Sequence, residues 1–405
     1  MIREQLFVLA ALCVGCASVP QSNDTHLRKQ AHAMAQELII VDTHVDVPYR
    51  LREKMEDVSL ATPSGDFDYV RAKAGGLNAP FMSIYTPASL EEKGGSKALA
   101  DTLITMVEGL AVNHPAKFAI AYSPADVTHQ FKQGVVSLPM GMENGSPIEG
   151  TLENLKYFYD RGIRYITLAH GKRNHISDSS YDKDEKWNGL STFGEEVVRE
   201  MNRLGIIVDV SHLSDSAFYD VMRVSQAPVI ASHSSCRYFT PGWQRNISDD
   251  MITLLASKGG VVSINFGSDF ISDEYRRRDD IRRDAVVKYL EEHSIDRASE
   301  EGRKWEEQYE KDNPIPVADV KDVATHIDHV VKLVGVDFVG FGSDFDGVGD
   351  SLPTGLKDVS QYPNLIFELL KLDYSVDDIR KICGGNILRV WSAVEQKAKE
   401  LQAQK

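Results

Sequence analysis

Eight apolar runs rich in β-branched residues recur along the chain, separated by segments of helical periodicity, and this alternation restricts the fold more than any other feature. They read LIIVDTHVDV (38–47), PFMSIYTP (80–87), VVSLPMGMEN (135–144), IRYITLAH (163–170), IIVDVSHLS (206–214), PVIASHSS (228–235), GVVSINFGSDF (260–270) and DFVGFGSDF (337–345). Runs without a polar face must be covered on both sides, the situation of a parallel strand in an α/β protein. Eight β–α units close into a (β/α)8 TIM barrel, and a barrel with insertions accommodates residues 38–400 as one domain. Helices are expected over 25–36, 89–113, 152–161, 192–204, 215–224, 249–257 and 318–333, with closing helices over 362–372 and 376–399.

One stretch breaks the alternation. Between 273 and 312, 24 of 40 residues are charged, with Tyr275, Ile281, Val286, Tyr289 and Leu290 at near-helical spacing. The pattern reads as a solvated helical insertion after the seventh strand, with a lid or a dimer contact as the alternative.

Polar side chains collect at one place in run after run. His44 and Asp46 end the first, Glu143 the third, His170 the fourth, His212 the fifth, His233 the sixth and Asp344 the eighth. In a parallel barrel these C-terminal ends share one rim, and strand residues two apart share a face, so His44 and Asp46 point together into the mouth. Four imidazoles and three carboxylates crowded there would repel and desolvate one another without a cation. Taken singly, each has a bland alternative as a hydrogen-bonded core or loop residue. His175, His293, His326 and His329 are left in that class, and Asp209, Asp337 and Asp346 read as strand-end caps or turn formers. Imidazole and carboxylate without thiolate suit zinc, with manganese or iron chemically acceptable. The ligand set exceeds the three residues of a single catalytic zinc, which points to two ions roughly 3.5 to 4 Å apart, bridged by a carboxylate and acidifying a shared water to hydroxide.

The N-terminus follows other rules. Arg3 precedes an apolar stretch, Leu6 to Val14, that is too short to span a bilayer and fits the core of an export signal. Its end, LCVGC, is lipobox-like, although Leu12 stands one place early and Cys13 takes its usual position. Residues 1–16 are therefore expected to be an export signal with Cys16 as a lipid anchor, cleavage after Ala17 being the alternative. Residues 17–37 are expected to form a linker and an N-terminal helix, and Cys236 and Cys383 to be buried thiols. The formal net charge of −15, from 45 Lys and Arg against 60 Asp and Glu, argues against nucleic acid and anionic lipid as partners.

The segments VDTHVD, GMENG, RYITLAH, GLSTFGEEVVREMNRLGIIVDVSHLSD, VIASHSSCR, RNISDDMI and VGFGSDFDGV resemble the membrane (renal-type) dipeptidases, peptidase family M19 of the amidohydrolase superfamily, from about 38 to 394. The resemblance implies a dipeptidase that cleaves dipeptides with a free C-terminal carboxylate through a hydroxide bridging two zinc ions. It implies His44 and Asp46 on one zinc, His212 and His233 on the other, and Glu143 between them. It also implies that His170 meets the substrate carbonyl, that Arg245 holds the terminal carboxylate and that Asp344 orients the nucleophile and shuttles its proton. From the residues alone, Arg245 would equally suit a surface ion pair with Asp249 or Asp250. A homodimer in the periplasm, or anchored to the bacterial envelope, is a further implication.

Two departures stand out. Many relatives follow the bridging glutamate with two glycines, whereas Asn144 and Gly145 follow here, and the segment after His170 is basic, so that Lys172 or Arg173 could admit an acidic substrate side chain. Lactone or phosphoester hydrolysis or deamination on the same barrel is the rival activity, and a non-catalytic envelope module the rival class. Serine or cysteine hydrolysis lacks a G-x-S-x-G turn.

Overall fold

The computed structural model describes residues 21–404 apart from Ala298, so the expected export signal and Cys16 lie outside the described residues. Ten strands follow in chain order: β1 (Ile40–Val45), β2 (Leu77–Tyr85), β3 (Phe118–Ile120), β4 (Val136–Leu138), β5 (Met140–Glu143), β6 (Ile163–Thr167), β7 (Ile207–Asp209), β8 (Ile230–Ala231), β9 (Val261–Ile264) and β10 (Val339–Phe341). Eight of them close a parallel barrel in the order β1-β10-β9-β8-β7-β6-β5-β2, while β3 and β4 pair as a separate two-stranded sheet. The fold is the (β/α)8 TIM barrel.

The helices start where hydroxyl and carboxylate caps predict them. Ser191, Ser214 and Ser248 each accept the amide three residues on, opening the helices Thr192–Leu204, Asp215–Val224 and Asp249–Ser257, which coincide with the expected ranges. Helix Val320–Val334 begins in a reciprocal capping box made by Asp319 and Asp322. The first helix, Gln21–Glu37, packs on helix Tyr362–Lys371.

Several boundaries differ from expectation, for local reasons. The third run is divided at Pro139, which cannot donate to a ladder; β4 ends before it, and its carbonyl accepts from Met82 N at 2.8 Å. The expected helix 89–113 is two helices, Leu90–Lys93 and Ser96–Asn113, parted by Gly94 and Gly95 in the left-handed region. The last helix is interrupted by a π turn at Lys381–Gly385 before Asn386–Ala403. β1 ends at Val45 because Pro48 starts the helix Val47–Glu53. That helix, Tyr69–Gly75, Pro124–Lys132 and β3 were all outside the expectation.

The charged stretch forms two helices, Asp273–Glu292 and Glu300–Asp312. Apolar residues are scarce in them, so aromatic stacking joins the pair: Tyr289 lies face to face with Trp305 at 3.9 Å between ring centres. Arg283 ties the first helix to Asp269, beyond β9, at 2.7 Å.

Core packing fixes which end of the barrel is open. Val41, Phe81, Ile207, Ile230 and Val261 join Ile387, Val390, Trp391 and Val394 of the C-terminal helix in one buried cluster. Most of these strand residues stand near the starts of their strands, so the C-terminal helix closes that end, with Trp391 5.4 Å from Phe81. Chemistry is left to the opposite rim. Cys236 and Cys383 are buried free thiols, as expected.

Candidate metal centre

Strand register sets the first layer of the site. Glu143, the last residue of β5, stands level with Tyr85 of β2 on one side and Thr167 of β6 on the other. His44 lies within β1 and Asp46 just after it, while His170, His212, His233 and Asp344 lie past the ends of their strands, which shortens the expected strands. His212 (φ 68°) and Asp344 (φ 64°) adopt left-handed backbone, and at Asp344 pairing with β1 continues: its amide donates to His44 O at 3.1 Å and Phe345 bridges Val45. At the position after Glu143, Asn144 takes φ 79°, a conformation that asparagine tolerates. Its side chain donates to Thr86 O and accepts from Ser146 and Asn174, pinning the loop below the glutamate.

Around Glu143 the predicted side chains converge. Its Oε1 lies 3.1 Å from His212 Nε2, 3.2 Å from His233 Nε2 and 3.5 Å from His170 Nε2. Its Oε2 lies 3.5 Å from His44 Nε2, which is also 3.5 Å from Asp46 Oδ2. The rings of His44 and His233 stack at 3.7 Å, and His212 Nε2 is 2.9 Å from His233 Nε2. Three groupings have ligand atoms close enough to share an ion: His44–Glu143–His233, Glu143–His170–His212 and His44–Asp46–Asp344.

Electrostatics show what this crowding lacks. Burial pushes the Glu143 carboxyl up, but the close imidazoles of His170, His44, His212 and His233 outweigh it and hold the carboxyl well below its ordinary range. Burial drives His212 and His233 well down, Arg245 adding to both, so they offer lone pairs. Burial, reinforced by the neighbouring Asp46, pushes Asp344 up to about 8. Arg245 Nη2 lies 3.0 Å from His212 Nε2, and a guanidinium only donates, so that nitrogen is an acceptor. His44 Nε2 and Asp46 Oδ1 are buried without a hydrogen-bond partner. A pocket of converging acceptors with orphaned donor atoms of this type fits divalent cations.

Surrounding groups hold these side chains in place. Asp42 Oδ1 accepts from the amides of His44 and Ser343, linking β1 to β10. Tyr165 meets His44 Nδ1 at 2.8 Å, and Ser232 Oγ meets His233 Nδ1 at 2.7 Å. Asn265, at the rim position after β9, donates to Asp344 Oδ2 at 2.8 Å. The sequence reading left the second and seventh strand ends empty; Tyr85, 4.8 Å from the His170 ring, and Asn265 occupy them. Their position at the strand ends was the available signal.

Arg245 is not the surface ion pair that the sequence left open. Arg245 is 2% exposed, donates to Ser234 Oγ and His233 O, and packs over Phe270. It makes no surface ion pair with Asp249, which pairs instead with His329 at 2.8 Å. Lys172 and Arg173 line a neighbouring cavity of about 710 Å³ with Glu91, Glu92, Asp182 and Trp187. None of the predicted metal ligands lines that cavity.

A model of the membrane dipeptidases, peptidase family M19, matches residues 28–405. An uncharacterised dipeptidase of Schizosaccharomyces pombe is 32% identical over 385 residues, covering 91% of this chain and 83% of the relative. Dipeptidase aclJ of Aspergillus oryzae is 36% identical over 345 residues, covering 83% and 72%. Among solved structures, the probable dipeptidase PvdM from Pseudomonas aeruginosa superimposes with a TM-score of 0.80 at 27% identity, over 92% of this chain and 100% of that one. The matched span takes in all eight strands of the barrel and its mouth, and the chain belongs to the membrane dipeptidases, peptidase family M19.

Proposed function

We propose that this dipeptidase cleaves dipeptides with a free C-terminal carboxylate and works with two zinc ions, His44 and Asp46 serving one, His212 and His233 the other, and Glu143 both. The carrying observation is that Glu143 turns Oε2 toward His44 and Oε1 toward His212 and His233. When bound, such a pair supplies Lewis acidity and a water acidified toward neutrality.

The chain's own groups supply the rest. Arg245 is a buried guanidinium, and among the described residues no carboxylate lies within ion-pair distance of it. Its planar fork fits the substrate's terminal carboxylate, which would select dipeptides over longer or amidated chains. His170, about a quarter exposed at the mouth, can donate to the carbonyl oxygen as it gains charge, an effect worth about 3 kcal/mol for one donor. Asp344, held by Asn265, faces Asp46; a cation held by Asp46 would offset the repulsion that pushes Asp344 up, and the ionised Asp344 would then receive the nucleophile's proton and pass it to the leaving amine.

The test is a dipeptide panel, each member with its C-terminal amide, assayed on metal-stripped protein refilled with zinc, manganese or cobalt. Metal-dependent turnover confined to the free acids, and lost in Glu143→Gln, is expected. Undiminished turnover by the stripped protein would refute the reading.

Export, lipid attachment at Cys16 in the bacterial envelope and a homodimer belong to the same proposal and rest on the sequence reading. Among the described residues no helix is long and apolar enough to cross a membrane. Lipid labelling that disappears in Cys16→Ala, with light scattering of the purified protein, tests these points.

A further inference from the structure

We propose that Asp209 and Ser232 form a positioning relay that fixes the tautomer of His233 and thereby sets the affinity of one of the two cation positions. This deepens the metal-centre reading and rests on it. Asp209 reads from the sequence as a strand-end cap or turn former, and its bond from Ser211 N fits that; the structure gives it a second use. It ends β7, is fully buried, and its carboxylate is met by four donors. Oδ1 accepts from Ser211 N at 3.1 Å and Ser232 N at 2.8 Å; Oδ2 accepts from Thr167 Oγ1 at 2.5 Å and Ser232 Oγ at 2.6 Å. No described Lys or Arg lies within ion-pair distance of this carboxylate, so these bonds are what stabilises it in the interior.

Proton counting then gives the direction of the relay. A serine hydroxyl has one proton, and here it goes to Asp209. The oxygen is left as an acceptor 2.7 Å from His233 Nδ1, so Nδ1 carries the ring proton and Nε2 presents its lone pair toward Glu143 and His212. The other histidines are supported differently: His44 Nδ1 meets the Tyr165 hydroxyl, and His212 Nδ1 is buried without a partner. Among these three, His233 alone is backed by a carboxylate. Partners of this kind orient a ligating imidazole and raise its basicity, and their loss typically costs about 10–100-fold in metal affinity.

The experiment is zinc titration of the full-length protein against a chromophoric chelator, with zinc counted per chain after dialysis and folding followed by thermal denaturation. Wild type is expected to hold two zinc ions. Ser232→Ala and Asp209→Asn are expected to weaken one of them about 10–100-fold and leave the other unchanged. Ser232→Thr, which keeps a hydroxyl, should restore the affinity. Thr167→Val removes a different donor from the same carboxylate and should lower the melting temperature while leaving zinc affinity unchanged. Folded Ser232→Ala that binds both ions like wild type overturns the relay, as does equal weakening by Thr167→Val, which would make Asp209 a brace. If Asp209→Asn does not fold, Ser232→Ala decides alone. A wild-type protein that binds no zinc would overturn the metal-centre reading itself.

Discussion

Tyr165 fills the space that Gly141 leaves open on the neighbouring strand: a Cβ on Gly141 would stand 2.0 Å from the Tyr165 ring, and the tyrosine hydroxyl lies 2.8 Å from His44 Nδ1. A residue without a side chain on β5 thus sets the position of a ring on β6 and, through it, of an imidazole on β1. Gly141→Ala should destabilise the protein by about 3 kcal/mol or more through overpacking, and lower turnover because His44 must move. Tyr165→Phe keeps the ring and removes one hydrogen bond, so it should cost about 1 kcal/mol of stability. Chemical denaturation beside dipeptide turnover separates the two; equal stability losses would contradict this account.

Gly347 offers the opposite separation, activity lost with the fold kept. It is exposed, yet a Cβ there would fall 2.2 Å from Asp344 Oδ1 and 2.3 Å from Asp46 Oδ2. The only atoms within 3 Å are two carboxylate ends, so Gly347→Ala should displace them at a stability cost of about 1 kcal/mol or less. Turnover should drop at least about tenfold, the size expected when reacting groups are moved by an ångström. An unchanged kcat would show that the site absorbs the methyl group.

Arg245→Lys tests recognition rather than chemistry. Lysine keeps the charge but not the planar fork, so KM for a free dipeptide should rise about tenfold or more while kcat changes less. Discrimination against the dipeptide amide should shrink in step. A variant that rejects the amide as strongly as wild type would place carboxylate recognition elsewhere.

Acid should weaken the protein through His326, far from the proposed metal ligands in sequence. Its Nδ1 accepts from Cys236 N at 3.2 Å and its Nε2 donates to Ile271 O at 3.0 Å, a pattern that needs the neutral ring. Burial pushes this imidazole down to about 4 from an ordinary 6.5. Above pH 6.5 both folded and unfolded chains hold it neutral. Between 6.5 and about 4 only the unfolded chain takes up the proton, so stability falls as pH falls, by roughly 3 kcal/mol in all, and then levels off. His326→Gln keeps an acceptor and a donor without titrating, so its stability curve should lack that component. Parallel curves for the two proteins from pH 7 to 4 would contradict the assignment.

Much of this site was legible because a parallel barrel turns a one-dimensional regularity into a place. Polar residues at the C-terminal ends of β1 and β5, and just beyond β6, β7, β8 and β10, had to meet at one rim once the strands were parallel. Helix ranges were equally local, and 192–204, 215–224 and 249–257 are found as expected, each capped by the serine before it. The strand ends were less so. His212 and Asp344 turn through left-handed backbone, and nothing in an apolar run announces where regular pairing gives way.

Periodicity, the number of barrel strands and residue type at strand ends were thus determined by the sequence itself, since each depends on neighbours within a few positions. Only the tertiary structure decided that Arg245 is buried against His212 while Asp249 pairs with His329, that Asn265 holds Asp344, and that Asp209 reaches His233 through Ser232. Those relationships join segments far apart in the chain, and a hydrogen bond or a buried charge is set by what packing brings within about 3 Å, which no local pattern specifies.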